Sequence, residues 1–486
     1  MSDNAPQAAS PAAIRWLHLL IMSIFLASGW FLPPLAAITP FGMKVIGIFI
    51  GMIYGWMFIG LIWPSLCGML FLSLAGLGTA KAVFGQGFGS EIVLLIIFFS
   101  IFTNWLEEIG LTNTFAQWLL TRPFLSGRPY LFIFMIFCVT FLCAFFVGIY
   151  PAIFLMWGIC YRLLNNLGCG KRTKTSAYLL IGIAYVSIMG MTIKPWSSWS
   201  MLGISALTES TGESFDFLPY SFFMLTVSLV SIGLFLLAGR FLLRIDTTPF
   251  QKADYTQLAG KLQYTRQQKI GTLMLFVILF LLYLPSTLPK EGSLYRFVTD
   301  LGPVGVIALV IVILCLMTDQ QKPLLDFARM ATQGIPWNMI CLLAAVGPLG
   351  TALMHPEANI TPTVLQTLQP LLAGQSPFVM YALITLLAVL LTQFMNNTVL
   401  LVALTPMLCQ LATLIGASPK IITALLIFGL SAAMATPGAS SRAGLVFGNS
   451  EWITTKDAYS QGILSAFCII IALLIAGLPL GMLLFG

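Results

Sequence analysis

Two cations in this chain stand inside long apolar stretches, each in a proline-interrupted segment: Lys194-Pro195-Trp196-Ser197-Ser198 and Thr436-Pro437-Gly438-Ala439-Ser440-Ser441-Arg442. A charge at membrane depth costs about 2.5–3.5 kcal/mol on insertion scales, so it persists where it faces a cavity or has a partner. No Asp or Glu lies in the middle of an apolar stretch, and Glu107 and Glu108 fall at the end of theirs. Two cations without acids imply an anionic ligand. The competing reading is that each caps the C-terminus of a half-helix or pairs with a buried carboxylate.

Neutral ligands accompany the cations. Asn396, Asn397 and Thr398 supply amide and hydroxyl groups in one interruption, and Ser197, Ser198, Ser440 and Ser441 supply hydroxyls in two others. A fourth interruption, Gly148-Ile149-Tyr150-Pro151, offers backbone N–H groups at Gly148 and an aromatic hydroxyl at Tyr150 that could close over a ligand. A half-helix beginning at such a break presents free N–H groups and a partial positive charge, which suits carboxylate or phosphate oxygen. The plainer roles are helix capping or interhelical hydrogen bonding for the Asn pair, and interfacial packing for Tyr150.

The elements that position these residues follow from composition. The chain has 486 residues, 59% hydrophobic and 8% charged, with mean hydropathy +0.97. A soluble domain carries about 25% charged residues, which excludes a water-soluble enzyme, a nucleic-acid binder and a disordered scaffold. A span needs about 20 apolar residues, so an all-α polytopic membrane protein with about eleven transmembrane helices is expected. The nine cysteines show no metal-ligand spacing and read as small buried hydrophobes. His18 and His355 are too isolated for a zinc site or a triad. The run after Arg15 is long for a signal-peptide core and reads as an uncleaved first span.

Apolar runs 129–167 and 377–412 are too long for one span and are interrupted mid-way, the second at Gln393-Phe394-Met395-Asn396-Asn397-Thr398. They read as re-entrant hairpins, because non-helical backbone at membrane depth survives only where protein or a water-filled cavity covers it. The run after each hairpin, 177–206 and 421–449, is the one carrying the proline break. Residues 1–40 then form a tail and first span, 41–243 one repeat, 244–269 a basic linker and 270–486 a second repeat. Five spans per repeat is odd, so the copies must be inverted, and interrupted segments at matching positions mark a transporter's binding site. With the N-terminus inside, sixteen of the 23 Lys and Arg residues fall on the cytoplasmic side and five outside, as the positive-inside rule requires. The expected location is the bacterial inner (plasma) membrane, N-terminus cytoplasmic and C-terminus outside.

These residues resemble the divalent anion–sodium symporter (DASS) family of the ion-transporter superfamily, over nearly the whole chain after the first span. Pro336-Trp337-Asn338 looks like that family's Pro-Trp-Asn, and Asn396-Asn397-Thr398 its second Ser-Asn-Thr with Ser replaced. Thr436 to Gly448 aligns with its second turn, with Ser440 at its Thr and both its prolines replaced, by Ser441 and Arg442. The first Ser-Asn-Thr is degenerate. The resemblance implies a homodimeric scaffold, an elevator-type motion and Na⁺ sites made of a hairpin tip and the adjoining break. Thr392, Asn397 and Ala439 would form one; Ala144, Gly148 and Ile149 offer no side-chain oxygen for the other, so Lys194 would replace that ion.

The expected function is secondary transport of a small anion, a di- or tricarboxylate, coupled to Na⁺ or H⁺ or run as exchange, with no cofactor beyond a coupling ion and no nucleic-acid partner. A sodium/proton antiporter of the same superfamily normally needs a mid-membrane carboxylate; a transporter-like sensor is the other alternative. An intramembrane enzyme would need a metal cluster or nucleophile–base pair, and neither HExxH nor GxSxG occurs.

Overall fold

A computed structural model describes residues 11–486 apart from 36, 121, 123, 124, 126, 252–263, 290, 320, 333, 334, 361, 364–375 and 415. Much of the expected basic linker, with Lys252 and Lys261, lies outside the described residues, as does Lys290. The described chain is helical: α1 (Pro11–Ser28), α2 (Pro40–Phe58), α3 (Ile62–Ala75), α4 (Ala80–Phe88), α5 (Glu91–Glu108), α6 (Leu111–Leu120), α7 (Pro129–Val147), α8 (Ile149–Asn166), α9 (Lys174–Thr192), α10 (Ser198–Thr211), α11 (Phe217–Phe241), α12 (Thr248–Gln251), α13 (Arg266–Tyr283), α14 (Ser293–Leu316), α15 (Phe327–Thr332), α16 (Trp337–Met354), α17 (Pro377–Leu391), α18 (Asn397–Leu414), α19 (Pro419–Gly429), α20 (Ser441–Gly448), α21 (Thr455–Ala472) and α22 (Leu478–Phe485). The one departure is a two-residue antiparallel ladder pairing Thr318–Asp319 with Lys322–Pro323.

Eight helices among the described residues are long and apolar enough to cross a membrane, or nine if α4 and α5 form one broken span. The interrupted apolar runs supply shorter helices beside these, such as α17 and α19, of 15 and 11 residues, each too short to cross alone.

Contacts group the chain into two compact units, one of Met1–Val93, Glu209–Gly212 and Pro336–Gly374, the other of Leu94–Thr208, Glu213–Ile335 and Gln375–Gly486. In the first, Thr39 caps α2 and donates to the Glu357 carbonyl at 2.5 Å, while Asn359 donates to the Ala37 carbonyl at 2.6 Å.

The second unit is built around α9. A capping box starts this helix: Thr173 Oγ1 accepts from the Ser176 N–H at 3.2 Å and Ser176 Oγ from the Thr173 N–H at 3.1 Å, satisfying two donors of the first turn. Nearly every α9 residue is buried, and its glycines admit the first hairpin: Gly182 faces the Phe137 ring, and a Cβ on Gly190 would overlap the Phe141 carbonyl. The hairpin turns at Gly148, whose φ of 99° suits a residue without a Cβ. We expect Gly190→Ala to destabilise the protein by about 1–3 kcal/mol, because backbone must yield to the methyl group. Gly233→Ala, with nothing within 4 Å of the added carbon, should leave the melting temperature in detergent unchanged or slightly raised.

Candidate functional site

Helices stop and restart at the four interruptions: α7 and α8 at Gly148, α17 and α18 around 392–396, α9 and α10 around 193–197, and α19 and α20 around 433–440. All four belong to the second unit. In the first break, Ser197 Oγ accepts the Ser200 N–H at 3.1 Å and thereby caps α10, while Ser200 Oγ donates to the Thr192 carbonyl at 3.0 Å. In the second, one residue performs both tasks: Ser440 Oγ accepts the Ala443 N–H at 3.2 Å and donates to the Ala433 carbonyl at 2.6 Å. Trp199 ties the broken helices together, its indole N–H donating to the Ile427 carbonyl at 3.1 Å.

The two cations have different surroundings. Arg442, 2% exposed, sits in the first turn of α20. Its guanidinium donates to the Ser431 carbonyl at 2.8 Å and to the Ala184 carbonyl of α9 at 3.1 Å. Tyr150, 43% exposed at the first hairpin tip, lies within electrostatic range of it. Lys194 instead places its amine 5.7 Å from the Phe145 ring centroid, in a small recess it shares with Phe99, Phe102, Phe146 and Trp196. Among the described residues neither cation pairs with a carboxylate, and no group of His, Cys, Asp and Glu has metal-site geometry. The capping role weighed for the cations therefore describes Arg442 in part, and not Lys194.

The second hairpin tip divides its polar residues between structure and site. Asn396 Oδ1 caps α18, accepting the Thr398 and Val399 N–H groups at 2.9 and 3.4 Å. Asn397, 8% exposed, accepts weakly from Thr398 Oγ1 at 3.5 Å, and its amide nitrogen has no protein acceptor among the described residues. Ser198 is half-buried and Ser441 exposed; neither hydroxyl has a protein partner among the described residues. Of the residues expected to hold Na⁺, Thr392 is buried with its hydroxyl donated to the Leu430 carbonyl at 3.4 Å, and Ala439 is fully buried.

Gln393 was visible only as part of the break, yet it binds hairpin to helix. Its amide nitrogen donates to the Val389 and Ala432 carbonyls at 2.8 and 3.2 Å. Its Oε1 accepts the Met434 and Ala435 N–H groups at 3.3 and 3.0 Å, and its carbonyl accepts Thr436 Oγ1 at 2.5 Å. The signal available in sequence is a lone amide ending an apolar helix, a residue whose burial demands partners on every polar atom.

Hairpins and broken helices packed around a cation with no acid partner are the construction of a secondary transporter for anions. The family model described as CitMHS, citrate transporter, matches residues 48–433. The chain belongs to that family, and with it to the ion-transporter superfamily; it is a transporter rather than an enzyme. The crystal structure of the Alcanivorax borkumensis YdaH transporter, which has an unusual topology, is similar in fold, with TM-score 0.55, 14% identity, and coverage of 84% of this chain and 89% of that one. No curated protein matches the chain.

We expect Gln393→Met to destabilise the protein by at least about 2 kcal/mol, since it strands buried N–H and C=O groups that water cannot reach. Phe394→Ala, at an adjacent side chain that is 78% exposed, should cost far less in thermal unfolding.

Proposed function

We propose that the protein carries a citrate-type di- or tricarboxylate across the membrane by alternating access. Arg442 carries this reading. A guanidinium bonded only to neutral carbonyls keeps its whole charge in a medium of low dielectric, and a carboxylate there is favoured far more than in water. Asn397, Ser198, Ser441 and the unshared N–H groups of Arg442 are free to bind oxygen, with Thr398 beside Asn397, Asn396, Ser197 and Ser440 holding the half-helix starts, and Gly148 and Tyr150 where α8 begins. Lys194, in its own aromatic recess, adds positive potential.

The inverted-repeat arrangement is supported by how loops join. Lys171 pairs with Glu451 at 2.5 Å, Arg329 with Glu108 at 3.1 Å and Arg266 with Asp319 at 3.5 Å, all in loops or helix ends that the charge pattern assigns to the cytoplasm. Lys420 pairs with Glu213 at 3.8 Å, and Ser418 donates to the Phe485 carbonyl at 2.6 Å, in segments assigned outside. An elevator motion, a homodimeric scaffold, the bacterial inner membrane and a cycle driven by Na⁺, H⁺ or exchange complete the proposal. The sodium-coupled form follows the symporter-like motifs at Thr392, Asn397 and Ala439. The antiporter alternative lacks a carboxylate at either break.

Uptake of labelled citrate by proteoliposomes tests the reading. Wild type should accumulate citrate, Arg442→Gln should lower uptake by about tenfold or more, the value of one charged hydrogen bond, and Arg442→Lys should retain an intermediate rate. Wild-type protein that transports no di- or tricarboxylate, or an Arg442→Gln variant with full uptake, would overturn it. Binding of citrate without uptake would favour the sensor.

A further inference from the structure

Helix α19 stops inside the second unit at Gly429 and is followed by a single tight turn, Leu430–Ala432. A helix end leaves its last carbonyls without intrahelical donors. Here four consecutive carbonyls are each met by a side chain. Thr392 Oγ1 donates to Leu430 at 3.4 Å, Arg442 to Ser431 at 2.8 Å, Gln393 Nε2 to Ala432 at 3.2 Å and Ser440 Oγ to Ala433 at 2.6 Å. The carbonyl ends of discontinuous helices are where secondary transporters coordinate a coupling cation. A sodium ion there would do two things: gather several oxygens and supply one positive charge. In this chain the donors gather the oxygens, and the guanidinium supplies the charge.

The first break differs. Among the described residues the side chains that meet its carbonyls are hydroxyls, Thr192 by Ser200 Oγ at 3.0 Å and Ile193 by Ser221 Oγ at 2.8 Å, and the Lys194 amine turns to the aromatic recess. The cation bonded to carbonyls is thus at the second break, whereas the symporter-like motifs would have Lys194 replace an ion at the first.

We propose that Arg442 is a built-in counter-ion occupying the coupling-cation position of the second break, so that anion loading there needs no sodium. This rests on the transporter reading and narrows its coupling to a proton or to exchange at this break. Thr392 and the Ala439 segment then serve to hold the counter-ion's surroundings rather than to bind Na⁺.

The test has two arms. In proteoliposomes, replacing Na⁺ with choline at constant ionic strength should change wild-type citrate uptake by less than about twofold, as expected if no sodium is bound preferentially. In thermal unfolding without substrate, Na⁺ should leave the wild-type melting temperature unchanged. Arg442→Ala should melt lower in choline and recover part of the loss on adding Na⁺ or methylguanidinium, which can enter the vacated place; Arg442→Lys should keep the wild-type indifference to Na⁺. Uptake that collapses about tenfold or more in choline, or a wild-type melting temperature that Na⁺ raises, would overturn the proposal, and so would an Arg442→Ala loss that neither cation reverses. Should Arg442→Ala not fold, the wild-type and lysine arms decide. Absence of citrate uptake in both salts would count against the transport reading alone, since the unfolding arm needs no substrate.

Discussion

A helix that ends within a membrane protein must find donors for its last carbonyls, and the second break is organised by that requirement. Each buried carbonyl left unmet costs about 1–3 kcal/mol, so four of them weigh as much as the whole stability of an ordinary domain. Water cannot be the routine donor where the site must be closed for part of a transport cycle. The donors come instead from the second hairpin, through Thr392 and Gln393, and from the far side of the break, through Ser440 and Arg442. Because the same carbonyls hold the hairpin end and the restarted helix, the break has a defined shape before any ligand arrives.

The same bonds bear on motion. Gln393 fixes the second hairpin to the unwound segment at Ala432, Met434 and Ala435, and α21 presses on that segment at Gly462, where any side chain would overlap the Met434 carbonyl. Opening the hairpin tip alone would break several buried hydrogen bonds at once. Moving hairpin and broken helix together breaks none of them. The geometry therefore ties the end of α17 to the unwound segment as one body.

Much of this was legible in the sequence because interruptions in apolar runs are local signals. Gly148, the Gln393–Thr398 segment and the two proline breaks each sit where the chain stops being helical, and the expected boundaries need no tertiary information. Partnerships are different. Nothing in the spacing of Ser431 and Arg442, or of Ala184 and Arg442, shows that a guanidinium will bridge two carbonyls, since the Ala184 contact spans 258 positions. For Gln393 the sequence shows only a lone amide ending an apolar run, and its value lies in five partners brought by folding.

The two breaks share a capping arrangement but differ in electrostatics. Both breaks cap the restarting helix with a serine hydroxyl and both return a hydroxyl to the helix that has ended. Only the second adds a cation to that junction. Lys194 lies among aromatic rings, where the ring faces offer its amine a weak attraction of about 0.5–2 kcal/mol and no hydrogen-bond acceptor of full strength. Arg442 has two carbonyls and a planar fork that holds its orientation. An ammonium could not reproduce that geometry, because it is a compact charge with rotating donors. The fixed guanidinium can therefore define where an anion binds, whereas Lys194 adds long-range potential without setting a position. In the proposed transporter, Arg442 is the specific pole and Lys194 the diffuse one, an arrangement that suits a substrate carrying several carboxylates.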